Sequence, residues 1–247
     1  CWAMGLTQHR NSVAIIQEIA NLLLLGGHIG RPGAGVCPVR GHSNVQGDRT
    51  VGINHNPPAK FLSDLHDSTG ISVPTKPGAD SVRAVKLMRG GAAKVFLSMG
   101  GNFVSAMSDT DATASALSNC SLTAQVSTKP NRSHLVTGRT ALILPCLGRS
   151  EKDHTSVGEQ FVSVENSMGV VHSSRGSSKP ASRLLRSEPS IVSGIAGALD
   201  TRIGRSGIPW QNLSEDYDKV RDMIEATIPG FENYNERVRL DGGFYLP

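Results

Sequence analysis

Aromatic side chains are scarce: Phe, Trp and Tyr make up 4% of the 247 residues, and charged residues only 19%. The net charge of +4 is spread along the chain without a Lys/Arg block, and no rings alternate with the cations. Without a ribonucleoprotein or zinc-knuckle pattern either, nucleic acid is excluded as a partner. Cysteine is sparse too. Cys1, Cys37, Cys120 and Cys146 stand far apart with no C-x-x-C pair, which argues against a zinc ribbon, a local iron–sulfur motif or a dense disulfide scaffold. Reduced thiols in a cytoplasmic protein fit this usage. No apolar run reaches the ~20 residues of a membrane span. The longest candidate, 15–25, is interrupted by Gln17, Glu18 and Asn21, so no span is expected. A G-x-G-x-x-G fingerprint is missing, which sets aside an ordinary nicotinamide-binding Rossmann protein. Cys1 opens the chain with no basic segment and apolar core of a signal peptide behind it, so the sequence reads as an internal piece of a longer protein.

What the chain does have is glycine, 27 copies, and proline, 13. Ile15, Ile16, Ile19, Leu22 and Leu23 recur at helical spacing, with Asn11 or Ser12 as N-cap and Gly26-Gly27 as the stop, predicting an amphipathic helix with a buried face. Residues 26–58 hold eight glycines and no periodicity, and read as a long functional loop. An Asp80-capped helix through Met88, a buried strand over 94–98, an Asp109-capped helix through Leu117, and strands over 122–126 and 141–144 follow in alternation. This order predicts an α/β fold: a Rossmann-like, mostly parallel sheet with flanking helices. A hairpin is expected over 161–164 and 170–171, helices over 188–199 and 214–228, and no closing element in the tail. The expected organisation is a cofactor segment over 1–60, a nucleotide-binding-like domain over 61–200, and a helical tail over 201–247.

Met99-Gly100-Gly101-Asn102 follows a strand and precedes a helix, where open α/β sheets expose amides to phosphate or base edges. Such a turn is also served by a plain tight turn. Ser127 and Thr128 follow another strand and are weaker candidates of the same kind; Lys129 beside them reads as a solvated lysine. In 30–47, Arg40 stands with His42, Asn44 and Gln46 on a backbone opened by Gly35, Gly41 and Gly47. A guanidinium suits an oxyanion, and amides read mixed donor and acceptor edges. A structural loop whose Arg40 is paired with a carboxylate is the alternative. Cys37 reads as a small buried side chain, and Asp153, His154 and Glu159 as an exposed polar loop.

Gly5-Leu6-Thr7-Gln8-His9, the helix ending at Gly26-Gly27, Gly30-Arg31-Pro32-Gly33-Ala34-Gly35-Val36, Pro38-Val39-Arg40-Gly41 and Asn44-Val45-Gln46-Gly47 stand in one order. This order resembles the signature of formate dehydrogenase and related molybdopterin oxidoreductases, over most of residues 1–175. The resemblance implies the multidomain formate dehydrogenase/DMSO reductase-type fold. It also implies a molybdenum or tungsten centre held by two molybdopterin guanine dinucleotides (bis-MGD), an upstream 4Fe-4S cluster, a small-molecule substrate and an electron-transfer partner. By the same resemblance Arg40 faces the substrate oxyanion. Thr7, Gln8 and His9 lie near the pterin, with Gly41, Asn44, Gln46 and Gly47 on the cofactor side, and Gly100, Gly101 and Asn102 form the guanine-nucleotide turn. Departures at Cys37, His42-Ser43, Gly101 and Phe103 resemble a branch described only as the molybdopterin oxidoreductase alpha subunit, which leaves the substrate open. His42 is either a proton relay or a packed histidine. A non-catalytic relative that keeps the fold as a scaffold is the alternative to an enzyme.

Overall fold

The structure, a computed structural model, describes residues 1–39, 44–166, 168–204 and 206–246. In chain order its elements are helices α1 (Met4–Thr7), α2 (Ser12–Leu25), α3 (Val45–Thr50), α4 (Ala59–Thr69) and α5 (Ser81–Arg89), strand β1 (Val95–Met99), helices α6 (Phe103–Ala106) and α7 (Thr110–Ser118), and strand β2 (Leu122–Ser127). A 3-10 turn (Arg132–Leu135) leads to strands β3 (Thr140–Pro145), β4 (Asp153–Thr155), β5 (Gly158–Gln160), β6 (Val162–Glu165) and β7 (Val170–Ser174). Helices α8 (Glu188–Ile203), α9 (Trp210–Glu215), α10 (Tyr217–Thr227) and α11 (Tyr234–Arg237) and strand β8 (Phe244–Tyr245) complete it.

The first layer follows from two aspartate caps. Asp80 Oδ1 accepts from Arg83 N at 2.7 Å and Asp109 Oδ1 from Ala112 N at 2.8 Å, so α5 and α7 start where a side chain satisfies a first-turn amide. Their apolar faces bring Val85, Met88, Ala116, Leu117 and Cys120 together with Val104 into one core beside the parallel sheet β1-β2-β3. The sheet is in register from Val95↔Leu122 to Met99↔Val126 and from Leu122↔Thr140 to Ser127↔Pro145, which aligns the carboxyl ends of all three strands. Against expectation, β1 is not buried on both sides: Val95, Leu97 and Met99 face outward while Phe96 and Ser98 are half-buried. The alternation of a strand carries every second side chain to the uncovered face.

The second layer is antiparallel, so the sheet content is only partly parallel. β6 and β7 form the expected hairpin, and β8 adds to β7 through Val170↔Tyr245 and Val171↔Phe244. The tail therefore closes on the body rather than ending without an element. Phe161, Val171, Phe231, Tyr234, Val238 and Phe244 form its core, with Tyr234 and Phe244 in an edge-on ring contact at 5.7 Å. The expected helix over 214–228 is broken at Asp216, whose extended backbone ends α9 and whose side chain accepts from Asp218 N at 3.1 Å to begin α10. Residues 153–160 form the β4–β5 hairpin instead of a loop, and the glycine-rich stretch contains α3. Helix α2 forms where the spacing places it, but none of its residues is fully buried and Leu22, Leu24 and Leu25 are exposed. Among the described residues no helix is long and apolar enough to cross a membrane.

Candidate cofactor-binding site

The carboxyl ends of β1 and β2 gather one group of the expected site residues. Gly100 and Gly101 have φ of +66° and +74°, and an added Cβ at either would meet no atom within 4 Å. Both glycines are therefore required by backbone conformation and not by crowding, and the turn's surface is open. Gly100 N donates to the Val126 carbonyl at 2.8 Å, and Asn131 Nδ2 donates to the Gly101 carbonyl at 2.7 Å. Asn102 stands at the N-cap position of α6 and accepts from Ser133 Oγ at 3.0 Å, while Val104 N donates to that same Ser133 oxygen at 2.9 Å. Ser127 is buried and donates to the Lys129 carbonyl at 2.8 Å; Thr128 and Lys129 are exposed.

Sequence reasoning missed the residues that hold this turn. Asn131 accepts from Ser133 N and opens the 3-10 turn, and His134 Nδ1 accepts the Asn131 amide at 3.0 Å. His134 Nε2 is buried and has no partner among the described residues. The signal was present as a capping pattern, Asn131 followed three positions later by His134.

A second group lies against the β6–β7 hairpin. Asn44 adopts φ +67° at the N-cap of α3, its Oδ1 accepts from Glu165 N at 2.9 Å, and its Nδ2 donates to Asp48 Oδ1 at 3.2 Å. Burial pushes the Asp48 carboxyl up. Thr50 Oγ1 donates to Glu165 Oε2 at 2.7 Å and bonds the Gln46 carbonyl at 3.0 Å. Asn44 and Gly47 line a cavity of about 130 Å³ with Ser163, Glu165, Phe231 and Tyr234.

Thr7, Gln8 and His9 form a third, exposed group at the end of α1, where Thr7 Oγ1 bonds the Met4 carbonyl at 3.4 Å. Trp2 ties this end of the chain to the approach to Arg40 by a parallel bridge to Pro38. Arg40, Gly41 and His42 lie outside the described residues. Cys37 is exposed in this chain, not buried as expected; the bridge Trp2↔Pro38 lies beside it.

A cavity of about 610 Å³ opens away from these groups, lined by His154, Arg183, Arg186 and Glu215 among others. Asp153 at its wall accepts from Tyr217 Oη at 2.5 Å, and Ser187 Oγ lies 2.5 Å from the same hydroxyl. Burial, with the Asp153 bond, pushes the Tyr217 hydroxyl far above its ordinary range. This cluster is accounted for as a joint between β4, α8 and α10.

No protein-family profile matches the chain. Along its whole length it is 55% identical to an uncharacterized oxidoreductase of Mycobacterium tuberculosis, of which it covers 32%. It is 48% identical over its whole length to the protein YdeP of Escherichia coli, again covering 32%. The chain spans about a third of each of these relatives. Over 107 residues, 40% of this chain, it is 33% identical to YrhE of Bacillus subtilis, provisionally named a formate dehydrogenase, of which it covers 11%.

Proposed function

We propose that this chain is part of a molybdopterin-dependent, formate-dehydrogenase-like oxidoreductase and forms one wall of its bis-MGD site. The observation that carries the reading is the turn at Gly100-Gly101. Two left-handed glycines with nothing above them stand at the aligned carboxyl ends of a parallel sheet, the end at which open α/β sheets receive a nucleotide. Both glycines fit a close-lying nucleotide, since neither has a neighbour in the space a side chain would take. The similarity to oxidoreductases over the full chain, and to YrhE over part of it, supports the same reading.

In this reading Gly100, Gly101, Asn102, Ser127 and Thr128 hold the guanine nucleotide, and Thr7, Gln8, His9, Gly41, Asn44, Gln46 and Gly47 line the pterin side. Arg40 pairs with the oxyanion of a small substrate, with His42 beside it. When bound, the molybdenum or tungsten cofactor supplies the two-electron redox chemistry; the protein contributes orientation, charge and exclusion of water. A cytoplasmic setting, a 4Fe-4S cluster outside this chain and an electron-transfer partner belong to the same proposal.

Gly101→Val in the full-length protein tests it. A β-branched side chain at φ +74° costs about 1–3 kcal/mol in strain and occupies the space above the turn. The expected result is soluble protein with clearly lowered pterin and metal content. Wild-type pterin content in the purified variant would show that the turn does not touch the nucleotide.

A further inference from the structure

Near the start of the chain an isolated parallel bridge sets the register between two segments that each carry a cysteine. Trp2 N donates to the Cys37 carbonyl at 3.1 Å, and Val39 N donates to the Trp2 carbonyl at 2.7 Å. These two bonds define the parallel bridge Trp2↔Pro38. Carried one step back, this register would set Cys1 opposite Cys37, 36 positions apart in sequence (37 − 1).

Residues opposite one another in adjacent parallel strands send their side chains to the same face, with the strands about 4.8 Å apart. That spacing falls within the ~4.4–6.8 Å Cα separation a disulfide spans. Both thiols are free and exposed. Cys120 and Cys146 are buried, and burial pushes both of their thiols up, with Glu188 and Glu151 adding to the effect at Cys146. Since the thiolate is the reactive form and needs access, the four cysteines divide into one inert buried set and one accessible pair.

We propose that Cys1 and Cys37 form a redox-active dithiol that closes to a disulfide by exchange with small disulfides of the glutathione class. The thiolate of one cysteine attacks a sulfur of the small disulfide, forming a mixed disulfide and releasing one small thiol. The neighbouring thiolate then attacks the protein sulfur of that mixed disulfide, forming the Cys1–Cys37 bond and releasing the second small thiol. The protein gives up two protons and two electrons; the small disulfide takes them up as two thiols. The second step is intramolecular, so the register acts as a high effective concentration of the second thiol and the mixed disulfide does not accumulate.

The test uses the full-length protein, equilibrated with oxidised glutathione, quenched in acid, alkylated and digested with trypsin. Cleavage after Arg10 separates the two cysteines, so a Cys1–Cys37 bond appears as a linked peptide pair by mass. The expected result is at least about tenfold more linked peptide than glutathione adduct, reflecting the effective concentration of the paired thiol. The excess should disappear in urea, where the register is lost, and Cys37→Ser should trap a stable glutathione adduct on Cys1. Stable adducts on both cysteines of the folded wild type, full alkylation of both, or equal linkage in urea would overturn the proposal. The readout is peptide mass, so its failure is distinct from failure of the molybdopterin reading.

Discussion

Arg40 is the residue whose proposed role makes the sharpest kinetic demand. If it faces a developing oxyanion in a water-poor site, Arg40→Ala lowers turnover by about 10²-fold or more, the scale of losing one positioned electrostatic donor. Metal and pterin content stay near wild type, and Arg40→Lys recovers part of the activity because charge remains but the planar fork is lost. Turnover and molybdenum measured on the same preparations decide the matter. Loss of soluble protein and cofactor together in both variants would identify a structural ion pair instead. At this scale the sequence was readable where chemistry is local. Asp80 and Asp109 are legible as caps because each bonds an amide three residues away. Cys37 departs from the burial expected of it because exposure depends on what packs over a residue, which its local sequence does not encode.

Helix α3 shows how an element can be set by contacts that spacing does not reveal. It starts from Asn44 in the left-handed region and is held to β6 by Asn44 Oδ1 on Glu165 N and by Thr50 on the Glu165 carboxylate. An added Cβ at Gly47 would collide with the Asn44 side-chain amide. Gly47→Ala should therefore displace Asn44 and leave Glu165 N unpaired, a loss of about 1–3 kcal/mol. Denaturant unfolding checks this, and the double variant with Asn44→Ala should be little worse than Asn44→Ala alone, since both remove the same link. Wild-type stability of Gly47→Ala would refute the coupling. The bonds joining α3 to β6 cross more than a hundred residues, so the stretch around α3 reads as a loop when taken by itself.

Across the whole molecule, the C-terminal layer is held by a charge cluster on an aromatic ring. Arg221, Arg239 and Arg175 lie 4.1, 4.9 and 5.2 Å from the Phe161 centroid. Arg221 is buried, bonds the Phe161 carbonyl at 3.1 Å, and pairs with Asp218, which also takes Arg239 at 2.7 Å. Burial acts to raise the Asp218 carboxyl, but the hydrogen bonds from Arg239 and Arg221 outweigh it and hold the pKa below its ordinary value. A depressed carboxylate pKa contributes stability that is present above the unfolded value, about 4, and is lost as pH falls through the folded value. The melting temperature of the wild type should thus fall more steeply below about pH 4 than that of Asp218→Asn. At neutral pH this variant should be less stable, by less than the ~3–5 kcal/mol of a fully buried pair because Asp218 is 38% exposed. Parallel melting curves of the two proteins on acidification would remove Asp218 from the acid response.

The sequence by itself determined the helix starts at Asp80 and Asp109, the three strands of the parallel sheet, the β6–β7 hairpin, and the glycine turn after β1. Each is written within a few residues, in caps, apolar periodicity and turn chemistry. Tertiary structure alone decided that β8 closes on β7 and that Asn131 and Ser133 brace the Gly100-Gly101 turn. Most of these arrangements pair groups far apart along the chain. Their hydrogen bonds and buried contacts exist only once the layers have packed, and no local pattern encodes a partner it does not yet touch.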